Sequence, residues 1–264
     1  MIGEIAISIN KLKLDKSSSV PLYLQLQNFI IEDIKAGQIR EGDMLPTEIE
    51  LSEELEISRP TVRQALNNLV NEGYIYRIKG RGTFVKRPKI VQGYTSFIES
   101  YTVDMRKKGF KTKTKVLALD VIEADEIIST KLQIKKDDKV VKLKRLRFAS
   151  PMNEKENNRE EDKPVLVTVV YVPYKLLPEL VCYDFEVFSF YEVLDKNNLS
   201  VKKVKREIEA KLADEEIANL LKIGKGDPIH FITSVGFLEN NVPIEYSESI
   251  YPGERNKFVI EISR

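Results

Sequence analysis

A strongly basic stretch is the first part of this sequence whose residues could do chemistry. Residues 57–89 carry eight Lys or Arg and one acid, whereas residues 41–56 carry seven Asp or Glu and no base. A compact cluster of positive charge is a candidate surface for the phosphates of a nucleic acid. The alternative is a solvated face without a partner, and the net charge of +1 for the whole chain does not decide between the two.

A second set of residues could bind a smaller anion. Arg145 and Arg147 are two residues apart in an apolar run, so on a strand they share one face, and Arg binds phosphate oxygens through paired hydrogen bonds. Two Ser-x-x-Glu segments, at 96–99 and 189–192, have the spacing of helix capping boxes, and helix N-termini attract anions. The alternative, which spacing alone favours, is that these Ser residues only cap and the Arg residues pair with acids.

The composition argues against most other site chemistry. The chain has 264 residues with one Cys, so an internal disulfide or a Cys-based metal cluster is excluded, and its one His, His230, lies in an apolar run where a structural role is expected. No apolar run approaches the roughly 20 residues that span a membrane, and the first 20 residues lack a secretory pattern. We therefore expect a cytoplasmic protein without a metal or cofactor.

The elements that position the basic stretch are predicted to be three helices and a hairpin. Apolar spacing predicts a helix from Pro21 to Gly37 with Leu22, Leu26, Phe29, Ile30 and Ile34 inward. Thr47 and Glu50 form a capping box for a short second helix, 48–55. Ser58 caps a third helix, 59–72, which Gly73 ends and which should bury Val62, Leu66, Leu69 and Val70. Two short strands, 74–78 and 83–86, follow.

This order predicts a winged helix-turn-helix. In such modules the third helix enters the major groove of DNA with its N-terminal residues at the base edges, and the hairpin contacts phosphates or the minor groove. The candidate DNA-binding residues are therefore Ser58, Arg59, Thr61, Arg63, Lys79, Gly80, Arg81 and Gly82. The acidic second helix is expected to face away from the phosphates. The alternative is a winged helix that contacts only proteins.

Residues 20–87 resemble the DNA-binding domain of the GntR family of bacterial repressors. The matching segments are 45–48 (Leu-Pro-Thr-Glu), 58–66 (Ser-Arg-Pro-Thr-Val-Arg-Gln-Ala-Leu), 72–74 (Glu-Gly-Tyr) and 80–85 (Gly-Arg-Gly-Thr-Phe-Val). Ile49 departs from the pattern, because family members usually carry at this position an Arg that contacts DNA. The resemblance thus implies DNA binding with an altered operator sequence or affinity.

The second half contains an internal repeat. The pattern Ala-Asp-Glu at 124–126, with its following Leu, Ile and Asp, recurs 89 residues later, and Pro164 and Pro173 recur 79 residues later as Pro243 and Pro252. The change of ten residues places an insertion in the polar run 152–163, predicted to be a long hairpin tip. Two copies of helix, strand, hairpin and strand predict an α+β domain: a mostly antiparallel sheet with helices on one face.

Residues 92–264 resemble the UTRA effector-binding domain of HutC-type GntR regulators, which has a chorismate-lyase-like fold. The resemblance rests on the segments 92–97, 145–147, 171–173, 189–191, 243–247 and 251–253. It implies that a phosphorylated sugar is bound, with its phosphate on Ser96, Arg145, Arg147, Ser189 and Tyr191. It also implies that Glu245 and Tyr251 line the sugar side. Thr168 stands where many members have a Glu, which leaves the identity of the sugar open.

These features favour a ligand-responsive repressor of carbohydrate-utilisation genes. The expected domains are an N-terminal extension (1–19), the winged helix-turn-helix (20–87), a linker (88–91) and the effector-binding and dimerisation domain (92–264). A palindromic operator in double-stranded DNA requires a homodimer with two-fold symmetry. Two alternatives stay open: a chorismate-lyase-like enzyme fused to a DNA-binding module, and a DNA-binding protein whose second domain only dimerises.

Overall fold

The computed structural model describes residues 12–86, 89–93, 101–152 and 163–260, which group into two units with a boundary between Lys89 and Ile90. Each unit has its own hydrophobic core. Within the described ranges, no helix is both long enough and apolar enough to span a membrane. Residues 1–11 of the N-terminal extension and most of the predicted hairpin tip, residues 153–162, lie outside the described residues.

The first unit has the predicted helices and hairpin. They are α1 (Leu22–Lys35), β1 (Met44–Leu45), α2 (Glu48–Glu54), α3 (Arg59–Glu72), β2 (Ile75–Ile78) and β3 (Gly82–Val85). The capping box of Thr47 and Glu50 is confirmed, and Ser58 caps α3 by accepting a hydrogen bond from the Thr61 N–H. The strands form an antiparallel sheet in the order β1-β3-β2. This arrangement confirms the winged helix-turn-helix.

The core of the first unit differs from the prediction at one side of α3. Val62, Leu66 and Leu69 are buried as expected, but Val70 is 36% exposed and Ala65 is buried instead. Residues spaced three and four apart from Val62 keep to one face of a helix, and Val70 lies at the edge of that face. Ahead of α1, Leu12 and Leu14 pack on the same core, so this part of the N-terminal extension is ordered against it.

The second unit is built on a six-stranded antiparallel sheet. Its strands are β5 (Phe110–Glu123), β6 (Lys139–Pro151), β7 (Pro164–Pro173), β8 (Lys203–Leu212), β9 (Pro228–Phe237) and β10 (Pro243–Pro252). Their spatial order is β5-β6-β7-β10-β9-β8. The second half of this order mirrors the first, so the sequence repeat folds into two copies that meet at the β7–β10 pair.

The repeat is preserved in detail. Asp125 caps α5 (Glu126–Leu132) and Asp214 caps α7 (Glu215–Leu221), each accepting a hydrogen bond of 2.8 Å from the N–H three residues on. The strand registers repeat as well: Arg147 opposes Leu166 in the first copy, and Gly236 opposes Glu245 at the equivalent place in the second.

The helices do not lie on one face of the sheet, so that expectation is wrong. On one face α5 packs with Val140, whereas α6 (Phe190–Lys196) packs with Val141 on the other. Neighbouring residues of a strand point to opposite faces. Because α6 belongs to the connection between the two copies, the repeat gave no information about its position.

Four short elements complete the second unit. They are β4 (Ile90–Gly93), α4 (Tyr101–Lys107), a 3₁₀ helix (Pro178–Cys182) and β11 (Asn256–Val259). Strand β4 pairs in parallel with β11, and the buried side chains of Gln92 and Asn256 join the two strands through a hydrogen bond of 2.9 Å.

The matched caps of α5 and α7 provide a test of the repeat. Replacing either Asp125 or Asp214 by Ala should lower the free energy of unfolding by about 1 kcal/mol, because a helix N–H loses its acceptor. Replacing either residue by Asn should retain most of this stability, because the amide oxygen can still accept the hydrogen bond. Urea unfolding followed by circular dichroism measures the stability of the Ala and Asn variants at both positions. Equal stability of the Ala and Asn variants would contradict the capping role.

Candidate functional site

The start of α3 presents its polar residues to solvent. Ser58, Arg59 and Arg63 are exposed, and Thr61 is half-buried with its hydroxyl 2.8 Å from that of Ser58. The neighbouring Val62 is fully buried and anchors this turn to the core. The start of α3 is therefore fixed to the core by Val62, while its polar residues stay accessible to solvent.

The hairpin between β2 and β3 extends the same basic surface. Lys79, Gly80, Arg81 and Gly82 are all exposed, and the Arg81 N–H closes the turn by donating to the Ile78 carbonyl at 3.0 Å. Gly80 has a φ of 75°, a conformation that an L side chain strains to adopt, so the tight turn depends on glycine there.

One carboxylate joins the helix tip to the hairpin. Glu48, in the first turn of α2, accepts from Arg63 Nε at 2.9 Å and from Arg77 Nη2, on β2, at 3.2 Å. The expectation that the acidic helix faces away from this surface is thus wrong for Glu48. The helix-turn-helix brings the start of α2 beside α3, and Glu48 there holds two of the basic side chains together.

The second unit contains a cavity of about 170 Å³ on the α6 face of the sheet. Six of the seven predicted effector-binding residues line it; the seventh, Ser96, lies outside the described residues. The six are Arg145, Arg147, Ser189, Tyr191, Glu245 and Tyr251. They come from β6, β10 and the start of α6, which the sheet and its connections bring together.

The arginine pair forms the cationic end of this cavity. Arg145 is 3% exposed and Arg147 is 8% exposed, and among the described residues the Nε of each has no hydrogen-bond partner. Aromatic rings cover them: the guanidinium of Arg145 lies 5.6 Å from the centre of the Phe190 ring, and that of Arg147 lies 4.8 Å from the Tyr101 ring. Burial, the largest cause, lowers the pKa of both groups, and the charge of Arg147 lowers that of Arg145 further.

A buried carboxylic acid lines another part of the cavity. Glu245 is 1% exposed and accepts a hydrogen bond of 2.7 Å from the Tyr191 hydroxyl. Burial raises the pKa of Glu245, and burial together with this carboxylate raises the pKa of Tyr191. Burial also raises the pKa of Tyr251 to about 12, so this hydroxyl keeps its proton.

Neutral hydroxyl groups form the floor of the cavity. Thr168 on β7 and Ser249 on β10 face each other with their oxygens 3.3 Å apart, and Ser247 and Ser234 line the cavity beside them. Hydroxyl groups both donate and accept hydrogen bonds, so this floor suits an uncharged polar ligand group.

Two details of the site differ from the sequence-based prediction. Ser189 occupies the N-cap position of α6, but its side chain makes no capping hydrogen bond, so the predicted capping box with Glu192 is wrong and the Ser189 side chain lines the cavity instead. Gln92, Asp104 and Arg206 also line the cavity and were not predicted. Gln92 belongs to the segment 92–97 that carries the UTRA resemblance, but no motif marks Asp104 or Arg206. Only the pairing of β8 with β9, which sets Arg206 opposite Ser234, brings Arg206 to the site.

Comparison with known families identifies both units. A family model described as bacterial regulatory proteins, gntR family, matches residues 22–85, and a UTRA domain model matches residues 107–257.

Comparison with characterised proteins extends these matches over nearly the whole chain. The HTH-type transcriptional repressor NagR of Bacillus subtilis is 34% identical, with 96% of this chain and 99% of the relative aligned. The mannosyl-D-glycerate transport/metabolism system repressor MngR of Escherichia coli is 31% identical over 92% of this chain and 97% of the relative. The crystal structure of PhnF from Mycobacterium smegmatis superposes with a TM-score of 0.73, covering 91% of this chain and 98% of PhnF at 26% identity.

The raised pKa of Glu245 predicts a pH-dependent stability. A carboxyl group whose pKa is higher in the folded state stabilises the fold below its unfolded value of 4.5, and this contribution is lost as pH rises through the folded pKa. Relative to the Glu245→Gln variant, the wild type should therefore lose stability as the pH rises above 4.5. Urea midpoints at several pH values measure this difference.

A second variant sharpens that test. Tyr191→Phe removes a hydrogen bond that lowers the pKa of Glu245, so it should move the loss of stability to higher pH. A constant offset between wild type and Glu245→Gln at every pH would contradict the assignment.

Proposed function

The chain belongs to the gntR family of bacterial regulatory proteins and carries a UTRA domain, and on this premise we propose that it is a repressor whose cavity binds a phosphorylated carbohydrate. As a family member it is a DNA-binding transcriptional regulator and not an enzyme. The single observation that carries the proposed ligand is the buried pair Arg145 and Arg147.

The arginine pair supports a doubly charged anion as the ligand. Two like charges taken out of water repel each other and cost free energy until an opposite charge compensates them. A phosphate ester provides that charge and accepts hydrogen bonds from the guanidinium nitrogens, including the Nε atoms that lack a partner among the described residues. Ser189 and Tyr191 lie beside the pair and would complete the phosphate site, with Ser96 as a further proposed contact.

The rest of the cavity supports a carbohydrate as the body of the ligand. The hydroxyl groups of Thr168, Ser247 and Ser249 can donate to and accept from sugar hydroxyls. Glu245 and Tyr251 add an acceptor and a donor on the same side. The names of the relatives agree with a role in sugar metabolism, since MngR is a repressor of mannosyl-D-glycerate transport and metabolism.

The proposed DNA contacts follow from the exposed surface of the first unit. Arg59 and Arg63, at the start of α3, would read base edges, and Lys79 and Arg81 would contact phosphates or the minor groove. Ile49 is 45% exposed where a charged DNA contact is usual in the family, so α3 would provide more of the base recognition here. Two copies of the chain, related by a two-fold axis, would bind half-sites about one helical turn apart.

Release of DNA by the ligand requires only a difference in affinity. If the ligand binds more tightly to a dimer geometry whose α3 helices no longer match both half-sites, it lowers the population that can bind the operator. Compensation of the buried arginine charges would supply the binding free energy, of which only the difference between the two geometries shifts the equilibrium.

The DNA contacts are tested by two substitutions with different expected signatures. On an operator selected from random DNA with the wild-type protein, Arg59→Ala should weaken binding by about 10- to 100-fold and relax the sequence preference. Lys79→Ala should weaken binding to all sequences equally and reduce the slope of log K against log salt by about 1.

Lys35→Ala, an exposed change at the end of α1, is the control and should bind as the wild type does. Fluorescence anisotropy at several salt concentrations measures all three variants. An Arg59→Ala variant that keeps both affinity and preference would contradict the proposed base contact.

The effector site is tested by removing one guanidinium while keeping the volume of the side chain. Arg147→Met should weaken binding of N-acetylglucosamine 6-phosphate or glucose 6-phosphate by about 10- to 100-fold, because charge-assisted hydrogen bonds are lost. Without ligand the same variant should be as stable as the wild type or more so, because a buried cation next to Arg145 is removed.

Lys144→Met, on the opposite face of β6 and paired with Glu216, is the matched control and should keep the ligand affinity. Isothermal titration and thermal shift measure both properties. Equal stabilisation of the wild type by free sugars and by their phosphates would refute the anion site, and operator release by sugar phosphates in an Arg145→Met, Arg147→Met double variant would favour a second domain that only dimerises.

A further inference from the structure

The two copies of the repeat place different side chains at equivalent positions of the cavity. In the first copy, Arg147 on β6 opposes Leu166 on β7; in the second, Gly236 on β9 opposes Glu245 on β10. In the first pair a long charged side chain faces an apolar one. In the second pair a glycine, which has no side chain, faces a carboxylate. All four residues lie on the cavity face of the sheet, because strand residues two apart share a face.

Gly236 is in close contact with the side chain of Glu245. A Cβ atom at position 236 would lie 2.6 Å from Cγ and 2.8 Å from Oε1 of Glu245, closer than non-bonded atoms approach. The backbone itself does not require glycine at this position, because Gly236 is not among the residues with positive φ. The reason for a glycine near the end of β9 is therefore the Glu245 side chain that crosses it.

The path of Glu245 across Gly236 determines where its carboxylate lies. Oε1, the oxygen nearest to the imagined Cβ, is the one that accepts from the Tyr191 hydroxyl at 2.7 Å. Glu245 is 1% exposed and lines the cavity, so a displaced side chain can move only further into the cavity. Any side chain at position 236 would push the carboxylate away from Tyr191.

We propose that Gly236 is a positioning residue of the effector site. Because it has no side chain, it leaves room for the Glu245 carboxylate in the cavity. The second copy of the repeat is then the part that recognises the uncharged body of the ligand. The recognition half of this inference rests on the proposed function of the cavity. The first copy then binds the anion through Arg145 and Arg147, and the second binds hydroxyl groups through Glu245 and its neighbours. Such a division gives the ligand one orientation.

The steric part is tested without a ligand by a double-mutant cycle. Gly236→Ala should lower the urea midpoint of the wild type, because Glu245 is displaced. In a Glu245→Ala background the same substitution should leave the midpoint unchanged or raise it, because Ala is favoured over Gly inside a strand once the space is free. Thr233→Ala, on the other face of β9, is the control and should have the same effect in both backgrounds.

The recognition part is tested by comparing two probes. Gly236→Ala should weaken binding of N-acetylglucosamine 6-phosphate by about tenfold, the usual cost of one lost hydrogen bond in a buried site. It should weaken binding of inorganic phosphate much less, because Arg145, Arg147 and Ser189 stay in place. A role of Gly236 in folding alone would weaken binding of both probes together.

The outcomes separate this inference from the proposed function. A lowered midpoint in both backgrounds, or an equal loss of affinity for both probes, would overturn the role of Gly236. Failure of every sugar phosphate to bind the wild type would overturn the proposed function, whereas the double-mutant cycle would still decide whether Gly236 positions Glu245.

Discussion

Two guanidinium groups buried side by side are the constraint on which the second unit depends. Their strand places them on one face, aromatic rings exclude water from them, and the Nε atoms are left without a hydrogen-bond partner among the described residues. A folded protein does not gain stability from such an arrangement. The proposed anionic ligand would compensate the charge, and the stability given up in the empty protein would become affinity when that ligand binds.

The repeated backbone makes a single site because its two copies differ in chemistry. The registers, the helix caps and the helix lengths are nearly the same in both, so the sheet is close to two-fold symmetric. The arginine pair occurs only in the first copy, while Ser234 and Gly236 occupy the equivalent places in the second. A symmetric scaffold thus carries an asymmetric cavity, which fits the proposed ligand with one charged end and one neutral end.

The DNA-binding unit depends on local interactions to a greater degree. Ser58 caps α3, Thr47 and Glu50 cap α2, and the buried Val62 anchors the first turn of α3 to the core. Glu48 then adds a contact across the unit by holding Arg63 and Arg77. That carboxylate holds two basic side chains in the structure, and in the proposed complex it would share them with DNA.

Structural features that depend on residues close together in the sequence could be predicted from the sequence alone. The bounds of α3 follow from Ser58 and Gly73, the shared face of Arg145 and Arg147 follows from their spacing, and the strand pairs follow from the repeat. Resemblance to a known family then indicated which residues should converge, and six of them line one cavity. Capping and alternation are local, so most of them can be predicted without knowledge of the fold; the capping box at Ser189 is the exception, because that side chain lines the cavity.

Only the tertiary structure determined which distant side chains meet. Arg206 and Gln92 reach the cavity through strand pairing, α6 lies on the face opposite α5, and Glu245 crosses Gly236. Each of these depends on the packing of segments far apart in the chain, and no spacing within one segment encodes such a contact. The sequence therefore determined the parts and their local geometry, and the packing of the sheet decided which of them form a site.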